Sequence, residues 1–535
     1  MVPRKWVLWV AAGGATCLFS LPLFSVTAKG EPAAATKDDG RGTCYGCHEE
    51  VKGLKEGSPH AELACTTCHG KLDEHLKSYE NKPVTIIDQA LCGSCHKKEF
   101  TSSMAVNYES PAHSEKGIPG GRSPVMDKLL APYGFTIEHN EPRSHAFMVT
   151  DQFIVDRFAG GRFQYKNGWY GVDEVGKTWD VLTDKGPDFK MLETGKAGNP
   201  TCIQCKTSDH ILKWKFMGDK DPKATWDRTS DVIAIAKDTH NPVGCIHCHD
   251  PHGTQPRIVR DELINQIEKG ATMFAGKDGK TDLKIISFRD GFRKIGIMQK
   301  PNATLMCAQC HVEYACGKGF EFDSGKPVGF EDRRTNHMPL TQVNELLAHY
   351  KKLNFYDFNH AVTGARLVKL QHPEAESYFG SAHQRAGVTC ADCHMPAIKD
   401  KEGASHRNHM MVRPKHHIKE SCISCHPKYT VEQKLYQLNA AQNYVRGKIR
   451  KSEYWLGQLI DTYAIAKRFG VEEATLAKAR EKHEEAHVLW EWWTAENSDG
   501  FHNPQLARES LAASIVASKE GVALLNKALD ARGKK

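Results

Sequence analysis

Cys202-Ile203-Gln204-Cys205-Lys206 departs from a pattern that seven other stretches of this chain keep. Those seven read Cys-x-x-Cys-His, with the fixed positions at Cys44, Cys47, His48; Cys65, Cys68, His69; Cys92, Cys95, His96; Cys245, Cys248, His249; Cys307, Cys310, His311; Cys390, Cys393, His394; and Cys422, Cys425, His426. The pentapeptide is an attachment signature for c-type haem: two thioethers hold the porphyrin, and the adjacent imidazole becomes the proximal ligand of the iron. Zinc sites share Cys-x-x-Cys but need four ligands and no histidine straight after the second cysteine, and a disulfide needs none. One such pentapeptide could be accidental; seven cannot. Alone, Cys202–Lys206 would read as a redox pair or half of a metal site. Among seven haem motifs it reads as an eighth haem site, with a lysine amine where the others present an imidazole. Eight haem c groups in one chain imply a mainly α fold with a loop-rich core packed around porphyrins. The odd site is where chemistry is expected.

The eight pairs take 16 of the 18 cysteines. Cys17 sits in an apolar run from Trp6 to Val26, behind Met-Val-Pro-Arg-Lys and ahead of a Val-Thr-Ala step ending at Ala28. That order of charge, apolar run and small residues predicts a secretory signal peptide over residues 1–28. The run is also long enough to span a bilayer, so an uncleaved membrane anchor is the alternative. Covalent haem attachment agrees with export, and a periplasmic protein is expected. The formal charge of +7 does not imply nucleic acid as a partner. Lys and Arg are scattered, no basic helix or base-stacking motif accompanies them, and haem propionates can reverse the balance.

Three motifs crowd between Cys44 and His96, which predicts an N-terminal trihaem domain over 29–120. Five follow from Cys202 to His426, within a pentahaem domain expected at 121–430. Between the groups, Gly160–Gly176 alternates aromatic and polar residues around glycines, which favours a small hairpin. Residues 256–300 are charged, with a short helix expected near Asp261–Lys269 and a Gly/Lys/Asp loop after it. Beyond His426 a helical region is expected over 431–535. Leu435, Leu438, Val445, Ile449, Leu456, Leu459 and Tyr463 keep a three/four/seven spacing along one face. Gly470 is placed to end that helix, a second runs from about Val471 to Glu496, and a third begins at the N-cap pair Asn503-Pro504 and ends near Gly533. These helices would form either a packing layer over the haems or an interface in a homo-oligomer.

Seven histidine-ligated haems need seven further axial ligands if all are six-coordinate. The 28 histidines leave 21 outside the motifs, ample for bis-histidine ligation. A haem with both axial positions filled passes electrons and binds no substrate, so most of these sites are wiring. Candidate distal ligands are His60, His113, His145, His252, His360, His383 and His406; each has the competing reading of a surface or supporting histidine.

The last five motifs and the residues between them, roughly 141–427, resemble the cytochrome c nitrite reductases that form ammonia. The resemblance rests on Pro142-Arg143-Ser144-His145-Ala146-Phe147-x-Val149-Thr150-Asp151 with Arg157 six residues later, and on Cys202–Lys206. It also rests on Cys307-Ala308-Gln309-Cys310-His311-Val312-Glu313-Tyr314, on Lys369-Leu370-Gln371-His372-Pro373-Glu374, and on Gly387-Val388-Thr389-Cys390-Ala391-Asp392-Cys393-His394-Met395-Pro396. It implies that Lys206 is the proximal ligand of the catalytic haem, and that Arg157, Tyr314 and His372 form its distal pocket. It also implies a calcium ion held by the Glu313 and Gln371 side chains and the carbonyls of Tyr314 and Lys369. The three extra N-terminal motifs, and Cys316 two residues after Tyr314, look like the octahaem branch of that family, in which such a tyrosine and cysteine are covalently linked. Without the resemblance Cys316 reads as a buried free thiol.

What the resemblance implies is a six-electron reduction of nitrite to ammonia, fed by an electron-donor cytochrome or a quinol-oxidising redox partner. Arg157 is a permanent cation suited to an oxyanion, and His372 is a proton donor near neutral pH. Three rivals stand beside it. A hydroxylamine-oxidising octahaem enzyme is expected to carry the ordinary histidine motif at its catalytic haem, which Cys202–Lys206 argues against. An octahaem tetrathionate reductase is also lysine-ligated, but the Glu313-Tyr314 and Gln371-His372 pairs fit nitrite better. A non-catalytic electron carrier has no use for Lys206 in this company.

Overall fold

The computed structural model describes residues 40–105, 126–129, 144–148, 163–165, 178–180 and 199–533. The expected signal peptide, Arg157 and His113 lie outside them. No helix among the described residues is long and apolar enough to cross a membrane.

The haem-motif region is built as expected of a chain whose core is to be completed by porphyrins: short helices, loops and small two-stranded sheets. Most motifs lie within or run out of a single helical turn, as at Gln89–Gly93, Pro200–Ile203, Cys245–Cys248 and Cys390–His394. Helical spacing puts the first cysteine and the residue after the second one turn apart, so thioether and axial ligand meet the same ring. At Pro200–Ile203 the turn is set by Asn199, whose side chain accepts from Thr201 and Cys202 N–H, with proline in the first turn.

The hairpin expected at Gly160–Gly176 is wider than that. Phe163–Tyr165 pairs antiparallel with Thr178–Asp180, so the returning strand lies beyond Gly176. The region after Pro256 holds more order than its charge suggests. Strand β1 (Arg257–Ile258) leads into helix α1 (Asp261–Glu268), and β2 (Leu283–Phe288) and β3 (Arg293–Met298) complete a sheet of order β1-β3-β2. The turn joining β2 and β3 holds Arg289, Asp290 and Gly291 at positive φ, between the paired residues Phe288 and Arg293.

Helix α2 (Val343–Leu353) then precedes the C-terminal layer of α3 (Val431–Arg468), α4 (Glu473–Ala495) and α5 (Pro504–Gly533). Thr430 and Gln433 close a capping box at the start of α3. Gly470 ends it at φ 69°: its N–H reaches Lys467 O and that of Val471 reaches Ala466 O, a double closure that satisfies two end carbonyls. Of the predicted apolar stripe, Leu438, Val445, Ile449, Leu456, Leu459 and Tyr463 are buried and Leu435 is half-buried. Helix α4 is sealed on all sides over its last turns. Trp490, Trp492 and Trp493 are wholly buried, and the last two donate to Ser377 Oγ at 2.7 Å and Ser510 Oγ at 2.6 Å. The three helices therefore pack chiefly on one another, and α4 also packs on α2.

Candidate active site

All eight motifs open onto one continuous cavity of about 4530 Å³, whose wall includes every motif cysteine, the seven motif histidines and Lys206. Leu63, Leu76, Tyr79 and Ile86 are large, apolar and exposed, yet all four line this cavity. Such a surface needs an apolar occupant. The residues fit haem.

The histidines give a sharper test. Two metal–imidazole bonds of about 2 Å, in line through one ion, set ring centroids about 6 Å apart at any mutual rotation. His48 faces His75 at 6.2 Å, His96 faces His60 at 6.1 Å, and His69 faces His252 at 6.4 Å. His311 faces His145 at 6.3 Å, His394 faces His502 at 6.2 Å, and His426 faces His383 at 6.3 Å. The seventh motif histidine, His249, feels the charge of His409. Each motif histidine thus has an opposing histidine or one in electrostatic reach.

Three of the opposing rings are held by a hydrogen bond at Nδ1, and a fourth has a carboxylate beside it, which leaves Nε2 for a metal. His75 Nδ1 bonds Asn81 O at 2.7 Å, His60 Nδ1 bonds Pro251 O at 2.8 Å, and His409 Nδ1 bonds Arg407 O at 2.9 Å. His502 Nδ1 stands 2.7 Å from Glu496 Oε1; burial opposes its charge, but the carboxylate lifts its pKa above the ordinary value. On the motif side, His394 Nδ1 bonds Val412 O at 3.0 Å, and His311 Nδ1 stands 3.4 Å from Glu374. Burial pushes His145 and His394 down to about 4, which keeps both imidazoles neutral and ready to ligate.

Of the distal candidates, His60, His145, His252 and His383 stand opposite motif histidines. His360 does not. Its Nε2 bonds Lys128 O at 2.9 Å and its Nδ1 takes Thr363, so neither nitrogen is left for iron. His406 lies on the strand Ser405–Arg407, paired with Ile398, and does not line the cavity; His409, three residues on, does. His75, His409 and His502 are the partners that sequence reasoning passed over.

Lys206 shares the cavity wall with Tyr314, Gln371 and His372. The rings of Tyr314 and His372 lie 6.3 Å apart, tilted by 41°. Asn497 at the end of α4 donates to His372 Nδ1 at 3.4 Å and to Glu374 Oε1 at 2.6 Å. That bond places the His372 proton on Nε2 and ties the ring, through Glu374, to His311. Asn497 had no motif to mark it.

Ala315 exchanges both backbone hydrogen bonds with His337, so Tyr314 and Cys316 flank a paired extended residue and project to the same face. Both are buried in one apolar cluster, and Cys316 Sγ also lies 3.7 Å from Cys202 Sγ.

Glu313, Lys369 and Gln371 come together. Glu313 Oε2 accepts from Gln371 N–H at 2.7 Å, its Oε1 accepts from Tyr350 OH at 3.0 Å, and Gln371 Nε2 reaches Lys369 O at 3.4 Å. Burial pushes the carboxyls of Glu313 and Glu376 well above the carboxylate range, and Asp357 up to about 7. Among the described residues no lysine or arginine pairs with Glu313 or Glu376. Buried carboxyls of this kind need a proton or a cation, and oxygen donors suit calcium. No group of three or more His, Cys, Asp or Glu among the described residues could hold a metal by itself; the expected calcium set adds an amide and two carbonyls to a single carboxylate.

Comparison with known proteins places this arrangement. The family profile described as Cytochrome c552 matches residues 176–535. The chain belongs to the cytochrome c552 family. It is 26% identical over 422 residues to the cytochrome c nitrite reductase subunit NrfA of Nitratidesulfovibrio vulgaris, covering 75% of this chain and 68% of that one. It is also 26% identical to the cytochrome c-552 of Porphyromonas gingivalis, over 76% of this chain and 67% of the relative. In structure it resembles the NrfA catalytic subunit of cytochrome c nitrite reductase from Desulfovibrio desulfuricans, which is described with two calcium sites. The TM-score is 0.60 at 24% identity, over 83% of this chain and 86% of the other. A cytochrome c552 fold, mainly α with long C-terminal helices, and haem c oxidoreductase chemistry follow from this membership.

Proposed function

We propose that this protein reduces nitrite to ammonia at the haem carried by Cys202–Lys206, in the periplasm, with seven further haems relaying electrons. The observation that carries the reading is the lysine at position 206, the one departure among eight motifs, on a wall shared with Tyr314 and His372. The relatives' names support the same substrate.

A haem bound there supplies an iron to hold the substrate nitrogen and to pass electrons to it. The chain's part is the following. Lys206 would hold the iron as a neutral amine. Seven histidine pairs, six at 6.1–6.4 Å and His249 with His409, would saturate the remaining irons, so the wiring does not compete for nitrite. His372 is held by Asn497 with its proton on Nε2, suited to protonate oxygens as N–O bonds break. Tyr314 offers a second hydroxyl, and a thioether to Cys316 would make its phenol more acidic and fix it. Arg157 would supply a permanent cation for the oxyanion. Calcium at Glu313, Gln371 and the Tyr314 and Lys369 carbonyls would neutralise a buried carboxylate and brace both segments of the pocket.

Exposed Tyr436, Tyr444, Tyr454 and Ile465 along α3, with Phe469 just past its end, leave apolar surface for a second copy of the chain. A low-potential donor cytochrome or quinol-oxidising partner would feed the array.

Turnover assays of the holoprotein with nitrite, hydroxylamine and tetrathionate test the reading. Nitrite reduced to ammonium supports it; tetrathionate reduction alone, or hydroxylamine oxidation without nitrite reduction, overturns it.

A further inference from the structure

Away from the haem cavity, the helical layer buries a file of titratable side chains that the mechanism above does not use. His360, Thr363, His483 and His487 are at most 3% exposed and Glu491 is 5% exposed. They come from two places: a turn at 360–366, whose Ala361 and Gly364 are exposed, and one face of α4 at positions four apart. Buried polar side chains at this density cost stability unless each is satisfied.

The bonds run in one direction. His360 Nδ1 accepts backbone N–H from Val362 and Thr363, both at 3.3 Å, so its proton is on Nε2, donated to Lys128 O. Thr363 Oγ1 accepts from Ala365 N–H at 3.2 Å and lies 2.8 Å from His483 Nδ1 and 3.3 Å from His360 Nδ1, so its single proton can serve either ring. When it is donated to the nearer ring, His483 carries its own proton on Nε2. One turn on, His487 Nε2 donates to Glu491 Oε2 at 2.7 Å, which leaves His487 Nδ1 as an acceptor. His483 Nε2 and His487 Nδ1 are both buried and without a hydrogen-bond partner among the described residues. One is a donor, the other an acceptor, and the two rings are 6.0 Å apart between centroids. A single water fits the chemistry of that gap, accepting from the first and donating to the second.

At the inner end Glu491 lies close enough to Asp357 for the two carboxyls to repel. Asp357 in turn accepts the Lys369 backbone N–H at 2.9 Å, on the segment that carries Gln371 and His372.

We infer that Thr363, His483, His487 and Glu491, with one internal water between the two imidazoles, form a proton-conducting file from the surface turn at 360–366 toward the Lys369–His372 segment. The inference rests on the reductive reading above, since a reaction that consumes protons needs a supply. Each passage moves one proton and no electrons. The Thr363 hydroxyl gives its proton to His483 Nδ1 and takes one from a water admitted at the turn beside the exposed Ala361 and Gly364; His483 Nε2 releases one to the internal water, that water gives one to His487 Nδ1, and His487 Nε2 releases one to Glu491. These are proton-relay residues and touch no substrate.

The test uses fully haemylated Thr363→Val and His483→Gln proteins with nitrite and a low-potential dye, in H2O and D2O. Turnover at saturating nitrite is expected to fall about tenfold, with KM and haem reduction potentials unchanged and the solvent isotope effect larger than in the wild type. Wild-type turnover in both variants overturns the file. So does a slower enzyme with an unchanged isotope effect, which marks a structural role. Should His483→Gln not fold, Glu491→Gln takes its place in the same comparison. A wild-type protein that leaves nitrite untouched overturns the functional reading instead, and the file is then judged on the oxyanion the protein does reduce.

Discussion

His394 and His502 face one another at 6.2 Å between ring centroids, although 108 positions separate them, and Glu496 holds His502 at 2.7 Å. The facing pair joins a Cys-x-x-Cys-His motif to the loop between α4 and α5. With haem bound at that motif, the helical layer would supply a haem ligand as well as a cover. His502→Ala is expected to leave all haems attached and to turn one low-spin haem high-spin, seen by electron paramagnetic resonance. A spectrum identical to the wild type would remove His502 from the ligand set.

Lys206→His is expected to keep eight haems and to lower nitrite turnover about a hundredfold, because the imidazole changes the proximal donor and resets the iron's potential. Pyridine haemochrome counts and steady-state rates on the same preparation check it. Full activity in a correctly haemylated variant would take this haem out of the active site.

Calcium binding is expected to strengthen as pH rises. Burial holds the Glu313 proton well above the carboxylate range, and the metal must displace it. The sign for the metal-free protein follows: its folded form keeps a proton that the unfolded chain releases near about pH 4.3, so its stability falls as pH rises above that value. Calcium reverses the trend. Metal analysis and thermal melts with and without a chelator, at acid and neutral pH, measure both effects. Glu313→Ala should lose the metal and about tenfold in turnover at unchanged haem content; active enzyme without calcium would refute the site.

A Tyr314–Cys316 thioether is expected, since both side chains project to one face of an extended segment. Tandem mass spectrometry of that peptide should show the loss of two hydrogens and no alkylatable thiol. Cys316 Sγ also lies 3.7 Å from Cys202 Sγ, so the same digest must show Cys202 on haem. An alkylatable Cys316 in fully active enzyme would rule the link out.

Local chemistry was legible in the sequence and long-range pairing was not. The haem motifs, the end of α3 at Gly470 and the start of α5 at Asn503-Pro504 are set by neighbours within a few residues, and the structure has them where the pattern puts them. The Asp290-Gly291 step between two apolar runs carried the β2–β3 hairpin signal, hidden in the reading by the charge of the region. Distal ligands are another matter. His252 meets His69 across 183 positions, and nothing near His252 distinguishes it from His360, whose nitrogens are both spent on local bonds. Asn497 acquires its role only when the end of α4 comes up against His372. The family resemblance was legible because it sits in contiguous stretches around the motifs.

The most direct measurement of the central claim is the electron count and product of nitrite turnover by the purified holoprotein. Isotope-labelled nitrite and a titrated low-potential donor are mixed, and labelled ammonium is quantified against donor consumed. Six electrons per nitrite, with ammonium as the sole labelled nitrogen product, is the predicted result. Fewer electrons with release of nitric oxide or hydroxylamine, or no consumption of nitrite at all, would contradict it.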